Sequence, residues 1–260
     1  MALLHVDFFS DVLGMCSQMD VILPEKTRGQ IGMEGKSDDK PWKTLYLLHG
    51  MSDDHTIWQR RTSIERYAAD KGIAVVMPTT HLGWYTDMHL GFNYFTYITE
   101  ELPEICRSFF PNMSRDRKDT YAAGLSMGGY GALKCGLRAG NTFSKVATLS
   151  GAVDVVDICK NNGGKGLFFD IFGDPDKVEG SFNDLFKAAE DMANDPNRPD
   201  VYQWCGTEDF LYQANVKMRD HLTKLGYDLM YEESPGDHQW KYWDAKIQTV
   251  LDWLIPEKEA

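Results

Sequence analysis

The sequence predicts an α/β fold, a mostly parallel central sheet with helices on both faces. From Lys43 onward, short apolar runs of strand length alternate with segments of helical period, which is the grammar of βαβ units. Those runs are nearly continuous in apolar residues, as expected of parallel strands buried on both faces. Length agrees, since 260 residues fall within the range of one large α/β domain, and residues 1–260 read as a single domain.

The elements follow in order. Residues 3–10 and 18–23 are runs of strand type that predict an antiparallel pair at the start of the sheet. Residues 25–41 are polar and carry glycines, so they read as a surface loop. A strand at 44–48, a helix near 57–69, a strand at 73–77 and a helix near 93–110 come next, with Pro103 placed to kink or split the last. A strand at 120–123, a helix at 127–139 and a strand at 145–149 continue the alternation. Residues 154–199 break it, with Gly163-Gly164, Phe168-Phe169, Phe172 and a helical patch near 182–192, and predict a small cap-like insertion over the C-terminal edge of the sheet. A strand at 201–205, a helix at 212–225, a strand at 229–232 and a helix at 239–254 complete the chain.

Composition excludes several classes of function. A 43% hydrophobic fraction with 7 Trp, 12 Tyr and 13 Phe supplies a sizeable core and excludes disorder. The formal charge of −12 repels nucleic acid and anionic membrane surfaces, so neither is expected as a partner. The N-terminus carries no basic segment followed by an apolar one, and no run of about 18 apolar residues occurs, so a cytoplasmic protein is expected. The 5 cysteines, Cys16, Cys106, Cys135, Cys159 and Cys205, form no C-x-x-C pair and read as free, mostly buried thiols. The 7 histidines show no H-E-x-x-H or similar spacing, so no metal and no cofactor are expected.

One motif carries chemistry. Gly124-Leu-Ser126-Met-Gly128 stands directly between a strand run and a helical run, the setting of a nucleophile elbow in an α/β-hydrolase fold. There the serine sits on a strained turn, glycines on either side let backbone approach closely, and the helix N-terminus aims N–H groups at a developing oxyanion. Ser126 is the expected nucleophile and the Met127 amide an expected oxyanion donor. In this fold the partners follow in the order serine, acid, histidine. Only His221 and His238 lie after Ser126; His221 falls within an amphipathic helix, while His238 follows the last strand in a loop able to reach the sheet edge. Asp209, in the loop after the 201–205 strand, is the candidate acid, with Glu208 its nearest rival and Asp237 a weaker one. The loop after the 44–48 strand begins His49-Gly50-Met51 and offers the Met51 amide as second oxyanion donor, His49 serving to pack or orient it.

The chain resembles the esterase D and tributyrin esterase group of α/β-hydrolases, which includes feruloyl and acetylxylan esterases and S-formylglutathione hydrolases. The resemblance covers nearly the whole chain. It rests on Leu47-Leu-His-Gly50 with Trp58, on Trp84-Tyr-Thr86, on Gly124-Leu-Ser-Met-Gly-Gly-Tyr-Gly-Ala132, on Cys205-Gly-Thr-Glu-Asp-Phe210, and on Gly236-Asp-His-Gln-Trp240 with Trp243. It implies the same Ser126, Asp209 and His238, with Met51 and Met127 as the oxyanion amides. The expected activity is serine carboxylesterase hydrolysis of short acyl esters, acetyl to butyryl, or of aromatic acyl esters. A glutathione thioesterase, an esterase acting on plant cell-wall esters and acyl transfer to an alcohol are the alternatives. Gly50, Trp84, Tyr85, Phe168 and Phe169 are the expected substrate-binding residues. The expected partner is a small-molecule ester, and the sequence leaves a homo-oligomer open.

Overall fold

The computed structural model describes residues 1–33, 35–37, 41–162 and 165–256. The Gly163-Gly164 pair and part of the 25–41 stretch lie outside the described residues. One 8-stranded sheet organises the chain, in the order β1-β2-β4-β3-β5-β6-β7-β8. The strands are β1 (Ala2–Ser10), β2 (Met15–Leu23), β3 (Thr44–Leu48), β4 (Ala74–Pro78), β5 (Thr120–Leu125), β6 (Lys145–Leu149), β7 (Asp200–Gly206) and β8 (Leu229–Ser234). β1 and β2 pair antiparallel, β2 joins β4 antiparallel, and every other pairing is parallel.

Strand character follows burial. Every residue of β3, β4 and β5 is buried, because these strands lie mid-sheet with side chains packed on both faces. β1, at the sheet edge, alternates exposed and covered positions instead. The two faces hold separate clusters. One gathers Tyr46, Val76, Tyr97, Tyr130 and Phe143, the other Leu45, Trp58, Ala123, Trp204 and Trp243.

Two expected helices are subdivided. The segment near 57–69 forms α1 (Ile57–Arg61) and α2 (Ile64–Lys71), broken where Thr62 turns extended. Thr62 Oγ1 donates to the Trp58 carbonyl at 2.5 Å and accepts from the Ile64 amide at 3.1 Å, so a side chain replaces helical hydrogen bonds at the break. The segment near 93–110 forms α3 (Tyr94–Thr96), a π turn (Tyr97–Glu101) and α4 (Leu102–Phe109). Pro103 has no N–H for the carbonyl four residues back and its ring would clash there, and the wide π turn absorbs both defects. The remaining helices are α5 (Met127–Arg138), α6 (Val155–Asn161), α7 (Leu167–Phe172), α8 (Leu185–Met192), α9 (Tyr212–Lys224) and α10 (Trp240–Leu254). Residues 154–199 thus contribute α6, α7 and α8, with Asp184 capping α8 by accepting from the Phe186 and Lys187 amides.

Four of the thiols, Cys106, Cys135, Cys159 and Cys205, are buried and Cys16 is exposed. Burial pushes Cys106, Cys135 and Cys205 up to about 12 and Cys159 up to about 11. Among the described residues no helix is long and apolar enough to cross a membrane.

The π turn aims Glu101 at the β1–β2 hairpin, where its carboxylate accepts from the Ser10 hydroxyl and from the amides of Asp11 (2.7 Å) and Val12 (3.1 Å). Glu101→Ala leaves these donors without their acceptor and should lower the free energy of unfolding by about 1–3 kcal/mol. Urea unfolding measures it; a loss below a few tenths of a kcal/mol would mean that water replaces the carboxylate at no cost.

Candidate active site

The parallel strands end together at one edge of the sheet, and the turn from β5 into α5 places Ser126 there. Ser126 adopts φ 52° and ψ −117°, a conformation that side chains rarely enter. Three hydrogen bonds hold it: its amide donates to the Leu149 carbonyl (3.0 Å), and its carbonyl accepts from Ala152 (3.0 Å) and Tyr130 (3.1 Å). Close approach makes the flanking glycines necessary. A Cβ on Gly124 would run into the Gly128 carbonyl, and one on Gly128 into the carbonyls of Leu48 and His49.

α5 therefore begins directly against the end of β3. The Met127 amide, at the first helical position, lacks an intrahelical acceptor by geometry. Among the described residues neither it nor the Met51 amide is taken up by a backbone acceptor. The loop bearing Gly50 and Met51 is fixed from several sides. His49, 1% exposed, contacts the Gly50 carbonyl through Nδ1 at 2.7 Å, and its Nε2 accepts from the Thr80 amide at 3.0 Å. An Nε2 that accepts places the proton on Nδ1, so the imidazole is neutral and a single tautomer. Burial, the largest influence, lowers its pKa to about 4. Trp58 Nε1 donates to the Leu48 carbonyl at 3.1 Å, and the Tyr85 hydroxyl to the His49 carbonyl at 2.9 Å.

His238 and Asp209 meet at the same edge. His238 Nδ1 lies 2.8 Å from Asp209 Oδ2, with the carboxylate buried and the imidazole partly open. Burial works against the Asp209 charge, yet hydrogen bonds from His238 and from the Leu211 amide outweigh it and hold the carboxyl below its ordinary range. The two rivals are engaged elsewhere. Glu208 accepts from the Gly236 amide, and its own amide donates to the Gly236 carbonyl at 3.0 Å, which pins the histidine loop to the end of β7. Asp237 Oδ2 accepts from Gln239 Nε2 at 2.6 Å. His221 Nε2 lies 3.1 Å from the Phe186 carbonyl in α8, a packing role.

The His238 ring sits between Phe210 (centroids 4.6 Å apart) and the edge of Trp243 (4.8 Å). Trp243 Nε1 in turn donates to Ser150 Oγ at 3.1 Å, and Ser150, at φ 47°, is a lesser influence that helps keep the Asp209 carboxyl charged. Sequence reasoning missed Ser150; a Ser-Gly pair closing a buried strand was its only signal. A cavity of about 290 Å³ lined by Asp154, Phe210, Leu211 and Lys217 opens beside this cluster. A larger cavity, about 760 Å³, lies beside Lys43 and Gly72 near the strand starts, away from Ser126.

The expected substrate-binding residues separate into two kinds. Trp84 packs against Phe168 (5.4 Å), Phe172 (5.8 Å) and Tyr130 (5.9 Å), so one face of the 154–199 segment rests on it. Phe168 and Phe169 are half-buried, Phe169 edge-on to His89 at 5.5 Å, and Gly50 is buried within the loop after β3. Tyr85 does not wall a pocket. It is fully buried, with its hydroxyl spent on the His49 carbonyl and its ring against Gly131, so its contact is with the loop after β3. Among the described residues no cluster of three or more His, Cys, Asp or Glu could hold a metal ion.

The Esterase family model matches residues 12–254. The chain belongs to the esterase family. An acetyl esterase of Caldicellulosiruptor saccharolyticus is 30% identical over 263 residues, covering 98% of each chain. Among solved structures, the fluorophosphonate-binding serine hydrolase F of Staphylococcus aureus superposes with a TM-score of 0.88 at 35% identity, over 98% of this chain and 99% of that one. The S-formylglutathione hydrolase of the same organism gives 0.84 at 35% identity, over 98% of both. The fold is that of the α/β-hydrolases, and this family member is a carboxylic ester hydrolase of the serine type.

Asp53, beside Gly50 in the loop after β3, is raised to about 6, first by burial and then by Asp54. A folded pKa above the unfolded one means that stability is lost as pH rises from about 4 to about 6. Asp53→Asn should therefore unfold later than the parent in urea at pH 7.5, by about 1 kcal/mol once solvent screening is allowed for. At pH 4 the two should coincide, and an equal gain at both pH values would assign the effect to something other than titration.

Proposed function

We propose that Ser126, His238 and Asp209 form the catalytic triad of a serine carboxylesterase acting on short acyl esters, acetyl to butyryl. The observation that carries this reading is the 2.8 Å contact of His238 Nδ1 with a buried Asp209, at the sheet edge where Ser126 sits at φ 52°. In the reaction, His238 Nε2 accepts the Ser126 proton as Oγ attacks the ester carbonyl. The negative oxygen is received by the Met51 and Met127 amides. His238 then returns the proton to the departing alcohol, leaving an acyl-serine. Water, deprotonated by the same imidazole, attacks that ester and releases the acid. Asp209 accepts the hydrogen bond from Nδ1–H throughout and stays ionised, keeping Nε2 free in the ground state and stabilising the imidazolium in between.

Chain preference is supported by the aromatic packing of Trp84 with Phe168 and Phe172, which favours a compact acyl site under the 154–199 insertion. The insertion acts as a small cap in this reading. Full-length likeness to an S-formylglutathione hydrolase supports a second substrate, a glutathione thioester, on the same serine. Buried free thiols support a reducing, cytoplasmic setting.

Three measurements test the reading. Ser126→Ala should keep its fold and lose about 10⁴ to 10⁶ in kcat; a folded variant with more than a few per cent of parental activity would remove the nucleophile assignment. Asp209→Asn should lower kcat by up to about 10⁴, whereas Glu208→Gln should cost less than about tenfold, and a reversed order would transfer the acid's role. Across 4-nitrophenyl esters of two to twelve carbons, kcat/KM should peak at four or fewer, because each methylene that fits adds about 1 kcal/mol and the first that does not forfeits it. A maximum at ten or more carbons would refute the short-acyl preference, and a glutathione thioester rate far above all of them would move the assignment to the thioesterase.

A further inference from the structure

α5 is built almost wholly of small and apolar residues, yet it carries Lys134 at 0% exposure. A buried ammonium is costly unless it is paired or hydrogen-bonded, and no carboxylate lies within ion-pair distance of Lys134 among the described residues. Neutral groups take that place. Nζ donates to Thr86 Oγ1 at 2.8 Å and to Asn183 Oδ1 at 2.7 Å, and it lies 5.0, 5.4 and 5.5 Å from the ring centroids of Phe95, Phe182 and Tyr130. Burial lowers its pKa to about 7.

Its two acceptors belong to the two segments that meet at Trp84. Thr86 Oγ1, having accepted from Lys134, donates to the Trp84 carbonyl at 3.0 Å. Trp84 and Tyr85 stand consecutively at φ 50° and 49°, a left-handed pair without glycine that surrounding contacts must hold. Asn183 belongs to the insertion, and the same face of α5 grips its neighbours. The Tyr130 hydroxyl donates to the Asn183 carbonyl at 2.9 Å, and Arg138 donates to the Phe182 carbonyl at 3.1 Å. Residues 130, 134 and 138 lie one helical turn apart, so a single stripe on the elbow helix holds the insertion.

We propose that Lys134 is a positioning residue that locks the strained Trp84-Tyr85 turn and the 181–183 segment onto the elbow helix, and so determines acyl-chain selectivity. The inference rests on the short-acyl esterase reading, with Trp84 as a wall of the acyl site. A lysine serves here where a leucine would not, because one Nζ reaches two oxygens on separate segments while its methylene stem remains among apolar neighbours.

The test compares butyryl and acetyl 4-nitrophenyl esters in Lys134→Met, Thr86→Val and Thr86→Ser, with unfolding curves to establish that each variant is folded. Lys134→Met should lower the butyryl-to-acetyl ratio of kcat/KM by about tenfold, the order of discrimination one well-packed methylene supplies. Thr86→Val should reproduce that change, and Thr86→Ser, which keeps the hydroxyl, should stay within about twofold of the parent. Should Lys134→Met fail to fold, the Thr86 pair decides alone. A ratio unchanged in the folded variants, or an equal loss on both esters, overturns the proposal while leaving the esterase reading intact. Absence of ester turnover in the parent protein overturns both.

Discussion

The approach of the α5 N-terminus to the last carbonyls of β3 is the constraint on which the site depends. Ser126 can present its hydroxyl at the sheet edge only if the turn is left-handed, and that turn brings Gly128 against Leu48 and His49 so closely that no Cβ fits. A non-glycine residue in such a conformation costs about 1–3 kcal/mol and persists only when its surroundings over-determine it. The bonds from Ser126 to Leu149, Ala152 and Tyr130 do this, and they tie the serine to β6 as well as to its own helix. The same approach brings the Met51 loop near the start of α5, so one steric fact sets the positions of Ser126 and of the Met51 and Met127 amides together.

On the other side of that loop, burial does the electrostatic work. A charged His49 would have to donate from both nitrogens, and the Thr80 amide, itself a donor, would then face a second donor. The neutral form alone satisfies both contacts, which gives the loop one hydrogen-bonding pattern at all pH values well above 4. His238 has the opposite surroundings: partly open, faced by Phe210 and Trp243, and held through Nδ1 alone. Two imidazoles near one edge thus stand in opposite surroundings, one enclosed and held through both nitrogens, the other partly open.

Much of this was legible in the sequence because it depends on local pattern. Strands 3–10, 44–48 and 145–149 fall within a residue of their observed limits, since apolar runs bounded by polar turns specify them. The strand-to-helix turn at Ser126 and the place of His238 in the loop after the last strand follow from the same pattern. The break at Thr62 was hidden, because it depends on a hydroxyl choosing the Trp58 carbonyl over solvent. The place of Tyr85 was hidden for a similar reason: an aromatic in a loop does not disclose whether its hydroxyl meets substrate or a backbone carbonyl 36 residues earlier. The role of Ser150 required knowing that β6 and β7 are neighbours and that α10 returns Trp243 over them. The role of Lys134, set among small and apolar residues of a helix that ends in Arg138, was not legible, because its partners at 86 and 183 are distant in sequence.

The distribution of sulfur has a practical consequence. Four thiols are enclosed and held in their unreactive protonated form, and Cys16 at the start of β2 is open to solvent. A maleimide dye added to the native protein therefore has one attachment point without any engineering. In the sheet order that point lies three strands from β5, the strand that leads into Ser126. Brief exposure to denaturant would unmask the remaining thiols, so the count of dyes per chain doubles as a direct gauge of how much of the population has opened.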